Sequence, residues 1–461
     1  MNKQFHPPDV AQGVTRALAH RIATLRYEDL PAEIILIAKH CILDWVAVAV
    51  QGAREPLVAI LAEQVATEGG SDHAALIGRD RRASPRQAAL VNGAASHALD
   101  YDDINVRMMG HPTAPVLAAA LALAESRTAS GRDLIAAFVA GYETECQIGE
   151  AVAPSHYARG FHATGTIGTF GAAAACAHLH RLAGNEVAMA LGIAGTQAAG
   201  LKSMFGTMCK PLHVGKAGEN GLLAAELAAH GFTSRADVLE CQNGFAGAYA
   251  DDLRTIHQFS SGGSAYHIAD NLFKYHASCH QTHAAIEALR ALQTEYGFAS
   301  SDVVSATLRH DAGAGAICNI ARPNTGLEIK FSLRMIAALA LTGVDTAAVA
   351  SFSDATALDP DLQALRDKVE VIFAQDWPLT RSEVVVRLAD GRTLEGSYDS
   401  GLPEKDLGKQ QTKILVKFRS LVGPVLGFRR ADDVASDILS IERQGDLKHL
   451  TSQLIHGQGQ E

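Results

Sequence analysis

The chain has 461 residues, of which 48% are hydrophobic and 20% are charged, so it is long enough to bury one or more full cores. Its formal net charge is −10 and it carries no dense run of Lys and Arg, so neither the composition nor the charge pattern indicates a nucleic-acid-binding surface. No apolar run reaches the roughly 18 residues of a membrane span, and residues 1–8 lack the apolar core of a signal peptide. We therefore expect a cytoplasmic protein with no membrane partner.

The first part of the chain, residues 1–265, has helical periodicity and helical start and stop signals along most of its length. Pro31 opens an apolar segment that runs to Val50, and Ser84 and Gln87 have the spacing of a capping box that starts another helix. Three glycines recur at every third position in Ala-rich sequence with no strand before them, which predicts close helix packing rather than a phosphate loop: Gly165, Gly168 and Gly171.

The pattern changes near residue 265. Val303–His310 alternates as a strand does, Val369–Phe373 is rich in β-forming residues, and Glu383–Tyr398 reads as a hairpin with Asp390-Gly391 at its turn. These segments predict a smaller α+β domain.

Helical pattern then returns at 410–422 and 432–441. We therefore predict a mainly α protein with a large helical domain over 1–265, which 405–461 rejoins, and an α+β lid domain over 266–404.

An unusual charge cluster follows the helix that begins near Ser84. Asp100, Asp102 and Asp103 stand between His97 and His111. Carboxylates and imidazoles at this density are able to bind a divalent cation, whereas loop aspartates more often accept hydrogen bonds from nearby amides. Because His111 also precedes another apolar helix, we expect two helix ends to meet at this cluster.

Two further polar residues stand beside predicted helix starts. His162 begins the glycine-spaced helix, where unsatisfied backbone N–H groups favour an anion. Lys210 precedes a helix predicted over 215–230, and although most lysines are solvated, its apolar neighbours favour partial burial.

The segment 274–283 combines Lys274 with a group of His and Cys side chains: His276, Cys279, His280 and His283. Their spacing would suit zinc on a helix, but no second Cys/His pair supports that interpretation. We favour a Lys and His/Cys set at the domain junction, where pockets are common. A nucleotide cofactor is not indicated, because the chain has no Walker A sequence and no strand-led G-x-G-x-x-G motif.

Five ordered motifs resemble those of the MmgE/PrpD family, which contains 2-methylcitrate dehydratases, cis-aconitate decarboxylases and iminodisuccinate epimerase. They are His97-Ala98-Leu99-Asp100-Tyr101-Asp102-Asp103, His111-Pro112, Phe161-His162-Ala163-Thr164, Lys210-Pro211-Leu212-His213-Val214-Gly215, and Lys274 through His283. The resemblance implies a helical domain with an α+β lid, a homodimer, and no metal or organic cofactor. It also implies a pocket in which protons beside a carboxylate of a di- or tricarboxylate are moved.

Carried onto this sequence, the resemblance implies a catalytic set of Asp100, His111, His162, Lys210 and Lys274. The two lysines would hold substrate carboxylates, the two histidines suit general acid/base work, and Asp100 would orient a histidine or lysine. His162, Cys279 and His280 would also contact substrate, while Asp102 and Asp103 would support the loop.

Two positions depart from the decarboxylase pattern. Ile104 stands where those members place a threonine, and Cys279 stands at about the place of a histidine. On that basis we expect an epimerase acting on a small imino- or amino-linked polycarboxylate such as iminodisuccinate. A 2-methylcitrate dehydratase is the second interpretation, followed by a cis-aconitate-type decarboxylase or a non-catalytic carboxylate-binding protein.

Overall fold

The structure is a computed structural model that describes residues 13–251, 253, 266–315 and 317–455. Residues 1–8, for which the sequence predicts no signal peptide, lie outside these ranges. The chain divides into two compact units, a helical unit of Met1–Phe273 with Val422–Glu461 and an α+β unit of Lys274–Leu421. Over the described ranges, none of the helices has the length and apolar character needed to cross a membrane.

Both boundaries lie later in the chain than the sequence placed them, at 273/274 and 421/422 instead of 265/266 and 404/405. The second shift has a visible cause. The helix Leu407–Leu426 makes contacts inside the α+β unit: Lys413 Nζ lies 2.7 Å from Glu287 Oε2, and Ser420 Oγ donates to Asp345 Oδ2 at 2.7 Å. Most of this helix therefore belongs to the smaller unit.

The helical unit consists mainly of α-helices with one minimal hairpin. Its helices up to Phe273 are α1 Val14–Thr24, α2 Ala32–Gly52, α3 Pro56–Glu68, α4 Pro85–His97, α5 Thr113–Ser126, α6 Gly131–Val152, α7 Ser155–Ala158, α8 Ala163–Thr166, α9 Gly168–Leu179, α10 Gly184–Gly195, α11 Cys209–Ala229 and α12 Phe245–Tyr249. Strands β1 Ala74–Ala75 and β2 Arg82–Ala83 pair antiparallel. The predicted capping box is confirmed, since Ser84 and Gln87 satisfy each other's backbone N–H groups at the start of α4.

Helices α4 and α11 approach each other closely because glycines line their contact. A Cβ on Gly93 would stand 2.9 Å from the Cα of Gly215, and one on Gly215 would stand 2.2 Å from the carbonyl oxygen of Leu90. Only glycine allows backbones to come this near. The contact holds the two helices that carry His97, at the end of α4, and Lys210, at the start of α11.

The predicted packing role of the three spaced glycines is also confirmed. A Cβ on Gly168 would stand 2.6 Å from Pro115 Cγ on α5, and one on Gly171 would stand 2.7 Å from Glu145 Oε2 on α6. On Gly165 it would stand 2.8 Å from the carbonyl oxygen of Ala199. These glycines therefore allow α8 and α9 to press closely against their neighbours.

The α+β unit is built on one four-stranded sheet. Its strands are β3 Val303–Asp311, β4 Val369–Ala374, β5 Arg381–Leu388 and β6 Thr393–Asp399, in the order β4-β3-β5-β6. β3 runs parallel to β4, and β5 is antiparallel to β3 and β6. The hairpin predicted at Asp390-Gly391 is confirmed as the β5–β6 connection, with Gly391 at φ 89°.

The helices of the remaining chain complete both units. They are α13 His283–Tyr296, α14 Ala312–Gly315, α15 Gly326–Ile329, α16 Leu333–Leu341, α17 Asp354–Ala357, α18 Pro360–Arg366, α19 Leu407–Leu426, α20 Phe428–Leu439 and α21 Lys448–Gln453. Helices α20 and α21 lie in the helical unit. The mainly α fold with a smaller α+β part is thereby confirmed.

Candidate active site

The polar motifs of the helical unit converge on one cluster of side chains. His97 ends α4, and the loop that follows carries Asp100 and Asp102. His111 stands just before α5, while the N-cap of α8 and the first turns of α11 add three more: His162, Lys210 and His213. The ring centroids of His97 and His111 are 4.6 Å apart, and those of His97 and His162 are 5.8 Å apart. Residues more than 100 positions apart in sequence therefore share one site.

Asp102 is the buried anion of this cluster. Its carboxylate accepts a hydrogen bond from His97 Nδ1 at 2.9 Å, and its Oδ2 lies 3.2 Å from His111 Nδ1. His111 Nδ1 makes no hydrogen bond within the part of the chain that the structure describes, so this second contact is electrostatic. Burial opposes the charge, but His111 and His97 outweigh it and hold the pKa of Asp102 well below its usual range. Asp102 thus directs the Nδ1 atoms of two imidazoles toward one carboxylate.

Asp100 joins the lysine and the histidine that the sequence singled out. Its Oδ1 lies 3.0 Å from Lys210 Nζ and 3.5 Å from His111 Nε2. The Asp100 side chain is 56% exposed, whereas those of Lys210 and His111 are 17% and 12% exposed. The backbone of Asp100 adopts a left-handed φ of 50°, a conformation that Asp tolerates better than most residues. The cluster therefore presents its ammonium and one imidazole beside an accessible carboxylate.

His162 lies deeper and pairs with a second histidine. Its Nδ1 is 3.2 Å from Nδ1 of His213, and its ring meets Phe205 edge to face at a centroid distance of 5.0 Å. Lys210 Nζ lies 5.2 Å from the centroid of the same Phe205 ring. Phe205 therefore contacts both His162 and Lys210.

Burial keeps two of the imidazoles neutral. It lowers the pKa of His97 to about 4, against the opposing charge of Asp102. Burial also lowers the pKa of His162 to about 2, helped by the positive charges that His97, His111, Lys210 and His213 can carry. At neutral pH His162 is therefore an uncharged imidazole.

Asp103 supports the loop from behind. Its Oδ2 accepts hydrogen bonds from Thr113 Oγ1 at 2.5 Å and from Asn271 Nδ2 at 2.9 Å. Burial, with the nearby charge of Asp44, raises the pKa of Asp103 to about 7. This arrangement agrees with the supporting role expected for Asp103.

The structure revises three expectations. Lys210 stands in the first turn of α11, which begins at Cys209 rather than Gly215, and not in a preceding loop. Asp102, expected only to support the loop, contacts two histidines of the cluster. His213 belongs to the cluster although the sequence assigned it no role, and His97, considered only as a possible metal ligand, belongs to it as well. Each stands in a motif beside a selected residue, and that proximity was the available signal.

The remaining selected residues lie in the α+β unit. Lys274 is 5% exposed, and the backbone N–H of Cys279 donates to the carbonyl of Lys330 at 3.1 Å. His280 begins a short 3-10 turn, with its ring centroid 5.1 Å from that of His283. Their contribution to a substrate site stays a prediction.

A metal ion fits the cluster poorly. Four ligand atoms, one each from His97, Asp100, Asp102 and His111, lie within 4.8 Å of one another, and the searched part of the chain holds no other group of this kind. However, Asp100 already faces the Lys210 ammonium and Asp102 already accepts from His97. A divalent cation would have to compete with the fixed positive charge of Lys210. The spacing of His276, Cys279, His280 and His283 does not produce a second donor group among the searched residues.

Two domain models of one protein family together match most of the chain. Residues 16–255 match the MmgE/PrpD N-terminal domain, and residues 276–440 match the MmgE/PrpD C-terminal domain. The chain belongs to the MmgE/PrpD family. The first match lies inside the helical unit and contains every residue of the cluster described above, and the second covers most of the α+β unit and continues into the helical unit as far as residue 440.

Among MmgE/PrpD relatives, this chain is similar along nearly its full length to proteins named cis-aconitate decarboxylase. The protein of Aspergillus terreus is 28% identical over 479 residues, covering 98% of this chain and 97% of the relative. The human protein is 27% identical over 459 residues, with 96% and 95% covered, and the mouse protein is 26% identical over 453 residues, with 95% and 92% covered.

Proposed function

We propose that this protein is a lyase that removes carbon dioxide from a small unsaturated polycarboxylate without a metal or organic cofactor, with cis-aconitate as the first substrate to test. The names of its full-length relatives support this assignment over the epimerase that the sequence motifs favoured. The observation that carries the proposal is the Asp100–Lys210–His111 contact beside the buried His162. It supplies a cation for a carboxylate and two imidazoles for proton transfer.

In the cluster of the helical unit, Lys210 is the cation that lies beside an exposed side chain, that of Asp100. Its ammonium lies 3.0 Å from the exposed carboxylate of Asp100, so a substrate carboxylate is able to share or replace that contact. A charge-assisted hydrogen bond of this kind is worth about 1.5–3 kcal/mol. In a chain of net charge −10 such local cations are needed to hold a polyanion. Lys274, Cys279 and His280 are proposed as further substrate contacts from the α+β unit.

Decarboxylation breaks a carbon–carbon bond, and carbon dioxide leaves without the bonding electron pair. That pair forms a new carbon–carbon double bond in an unsaturated substrate, and the former alkene carbon takes up a proton. His162 or His111 supplies the proton, since both rings belong to the cluster and imidazole is a common general acid and base. An anionic substrate also favours the charged form of a nearby imidazole.

Epimerisation of an imino-linked polycarboxylate such as iminodisuccinate is the second candidate. One observation favours it: Ile104, at the position of the decarboxylase threonine, is fixed by two backbone hydrogen bonds with Leu272, each 2.9 Å long. The Ile104 side chain has no hydroxyl group and cannot make the polar contact of a threonine. Cys279 is the second departure, since it stands at about the place of a histidine. An epimerase removes a proton from one face of a carbon and returns one to the other, which uses the same imidazoles.

The deciding experiment is incubation in deuterated water followed by NMR. With cis-aconitate we expect a product one carboxylate shorter that carries deuterium at carbon. Chiral iminodisuccinate would instead exchange its α-proton and lose chirality in an epimerase, and 2-methylcitrate would form an alkene in a dehydratase.

The variant H162Q should abolish turnover, whereas H230Q, at an exposed histidine whose ring bonds only its own helix, should not. If none of the three substrates reacts, the proposed function is wrong.

A further inference from the structure

The Nδ1 atoms of His162 and His213 face each other at 3.2 Å across 51 positions of sequence. His162 is 2% exposed, and its backbone N–H donates to the carbonyl of Gly200 at 3.0 Å. Gly165 and Gly200 leave room for the pair, since a Cβ on Gly165 would stand 3.0 Å from the His213 Cβ and one on Gly200 would stand 3.4 Å from its Cγ. Backbone packing therefore fixes the orientation of both rings.

In a hydrogen bond between the Nδ1 atoms of His162 and His213, one nitrogen carries the proton and the other accepts it with its lone pair. If His213 were the donor, His162 would keep its proton on Nε2, and gaining a second proton at Nδ1 would set two N–H groups against each other. If His162 donates, its Nε2 is bare in the neutral ring, and that atom takes up and releases a proton while the Nδ1 bond is unchanged. Only the second arrangement allows His162 to change charge at constant geometry.

We propose that His213 is a positioning residue: it accepts a hydrogen bond from Nδ1–H of His162 and so makes Nε2 of His162 the atom that exchanges a proton with substrate. This inference rests on the proposed proton transfer at His162. In each cycle Nε2 takes a proton from solvent or substrate and returns it to the substrate carbon. His213 stays neutral throughout, with its own proton on Nε2.

The partner of Nδ1 in His162 differs from the partner of Nδ1 in His111. In His111 the Nδ1 atom lies 3.2 Å from Oδ2 of the buried Asp102 carboxylate. His162 instead faces a neutral ring, and the charged or chargeable groups around it are His97, His111, Lys210 and His213. The Nδ1 atoms of the two histidines thus face different partners, a carboxylate for His111 and an imidazole for His162.

Nitrogen NMR of protein labelled with ¹⁵N-histidine tests the tautomer directly, with the His162 signals assigned by their loss in H162Q. We expect neutral His162 to be protonated on Nδ1 in the wild-type chain. H213F should remove this preference, and H213N should retain it, because an asparagine oxygen is able to occupy the place of the acceptor Nδ1. Finding the His162 proton on Nε2 in the wild-type chain would overturn the inference.

Kinetics with the substrate that the wild-type chain turns over supply the second readout. We expect H213F to lower kcat by about 100-fold while KM changes less than about threefold, and H213N to recover most of kcat. Equal losses in H213F and H213N, or a loss confined to KM, would contradict a positioning role. H230F serves as the matched control for stability and turnover. If the wild-type chain turns over none of the tested substrates, the proposed function fails, and the NMR result still decides the role of His213.

Discussion

The ammonium of Lys210 and the carboxylate of Asp100 lie 3.0 Å apart, although Asp100 is more than half exposed and stands in a left-handed backbone conformation. An exposed ion pair contributes little to stability, commonly about 0–1 kcal/mol. We infer that this pair positions the lysine for a ligand rather than stabilising the fold.

The variant D100N should therefore lose activity while keeping its stability. Asparagine tolerates the same backbone conformation but cannot hold an ammonium by charge, so we expect kcat/KM to fall by roughly tenfold to a hundredfold. Thermal unfolding should change little.

The matched control is D376N, because Asp376 is exposed and has a φ of 55° outside the cluster. A D100N chain as active as the D376N chain would show that the ion pair has no catalytic use.

The variant D102N should have a larger effect than D103N. Asp102 orients the Nδ1 atoms of His97 and His111, and an amide supplies neither the charge nor a guaranteed acceptor, so we expect activity to fall by at least about 100-fold. Asp103 has a pKa of about 7 because of burial and nearby Asp44, so an amide replaces it with less change of charge.

Turnover of the two variants at pH 7, with circular dichroism to check folding, compares them directly. Equal losses would mean that Asp102, like Asp103, only supports the loop.

The sequence predicted those elements whose signals are local. A capping box at Ser84 and Gln87, a turn at Asp390-Gly391 and strand-like alternation from Val303 all act within a few residues, and each is present in the structure. The two-residue strands β1 and β2 were missed because a pair of residues has no periodicity to detect.

The start of α11 was missed for a different reason. The helix predicted over 215–230 leaves Pro211 outside, yet Pro211 occupies the third position of α11, where backbone N–H groups have no partner inside the helix and a proline costs little.

The candidate site was predictable as a set of residues but not as a set of contacts. The motifs contain every member of the cluster, because catalytic residue types gather in short polar stretches. Which imidazole faces which partner depends on helix packing, and the pairing of His162 with His213 spans 51 positions. The burial that lowers the pKa of His162 also comes from tertiary packing, so no local sequence signal reports it.

Removal of metal ions should leave activity unchanged. The four clustered donors face Lys210 and one another, and we expect this charge pattern to bind an anionic substrate rather than a divalent cation. Dialysis against EDTA, followed by assay with and without added Zn²⁺, Mg²⁺ or Mn²⁺, measures this. Activity that is lost on chelation and restored by one metal would reassign the cluster as a metal centre.

His310 on β3 offers a test of stability away from the cluster. Its side chain is fully buried, and neither ring nitrogen has a hydrogen-bond partner in the part of the chain that the structure describes. Burial lowers its pKa to about 4. Below the ordinary histidine pKa near 6.5 the unfolded chain binds a proton that the folded chain does not, so stability falls as the pH falls toward 4.

The variant H310L should therefore raise the free energy of unfolding at pH 7 by about 1 kcal/mol, since it removes an unsatisfied buried group. At pH 5, which is roughly 1.5 units below the pKa of histidine in the unfolded chain, the gain in free energy of unfolding should be larger by about 2 kcal/mol. Urea unfolding of the full chain at both pH values measures the two gains. Because His73 is exposed, H73L should shift neither value, and an H310L gain that is independent of pH would contradict a neutral buried imidazole at this position.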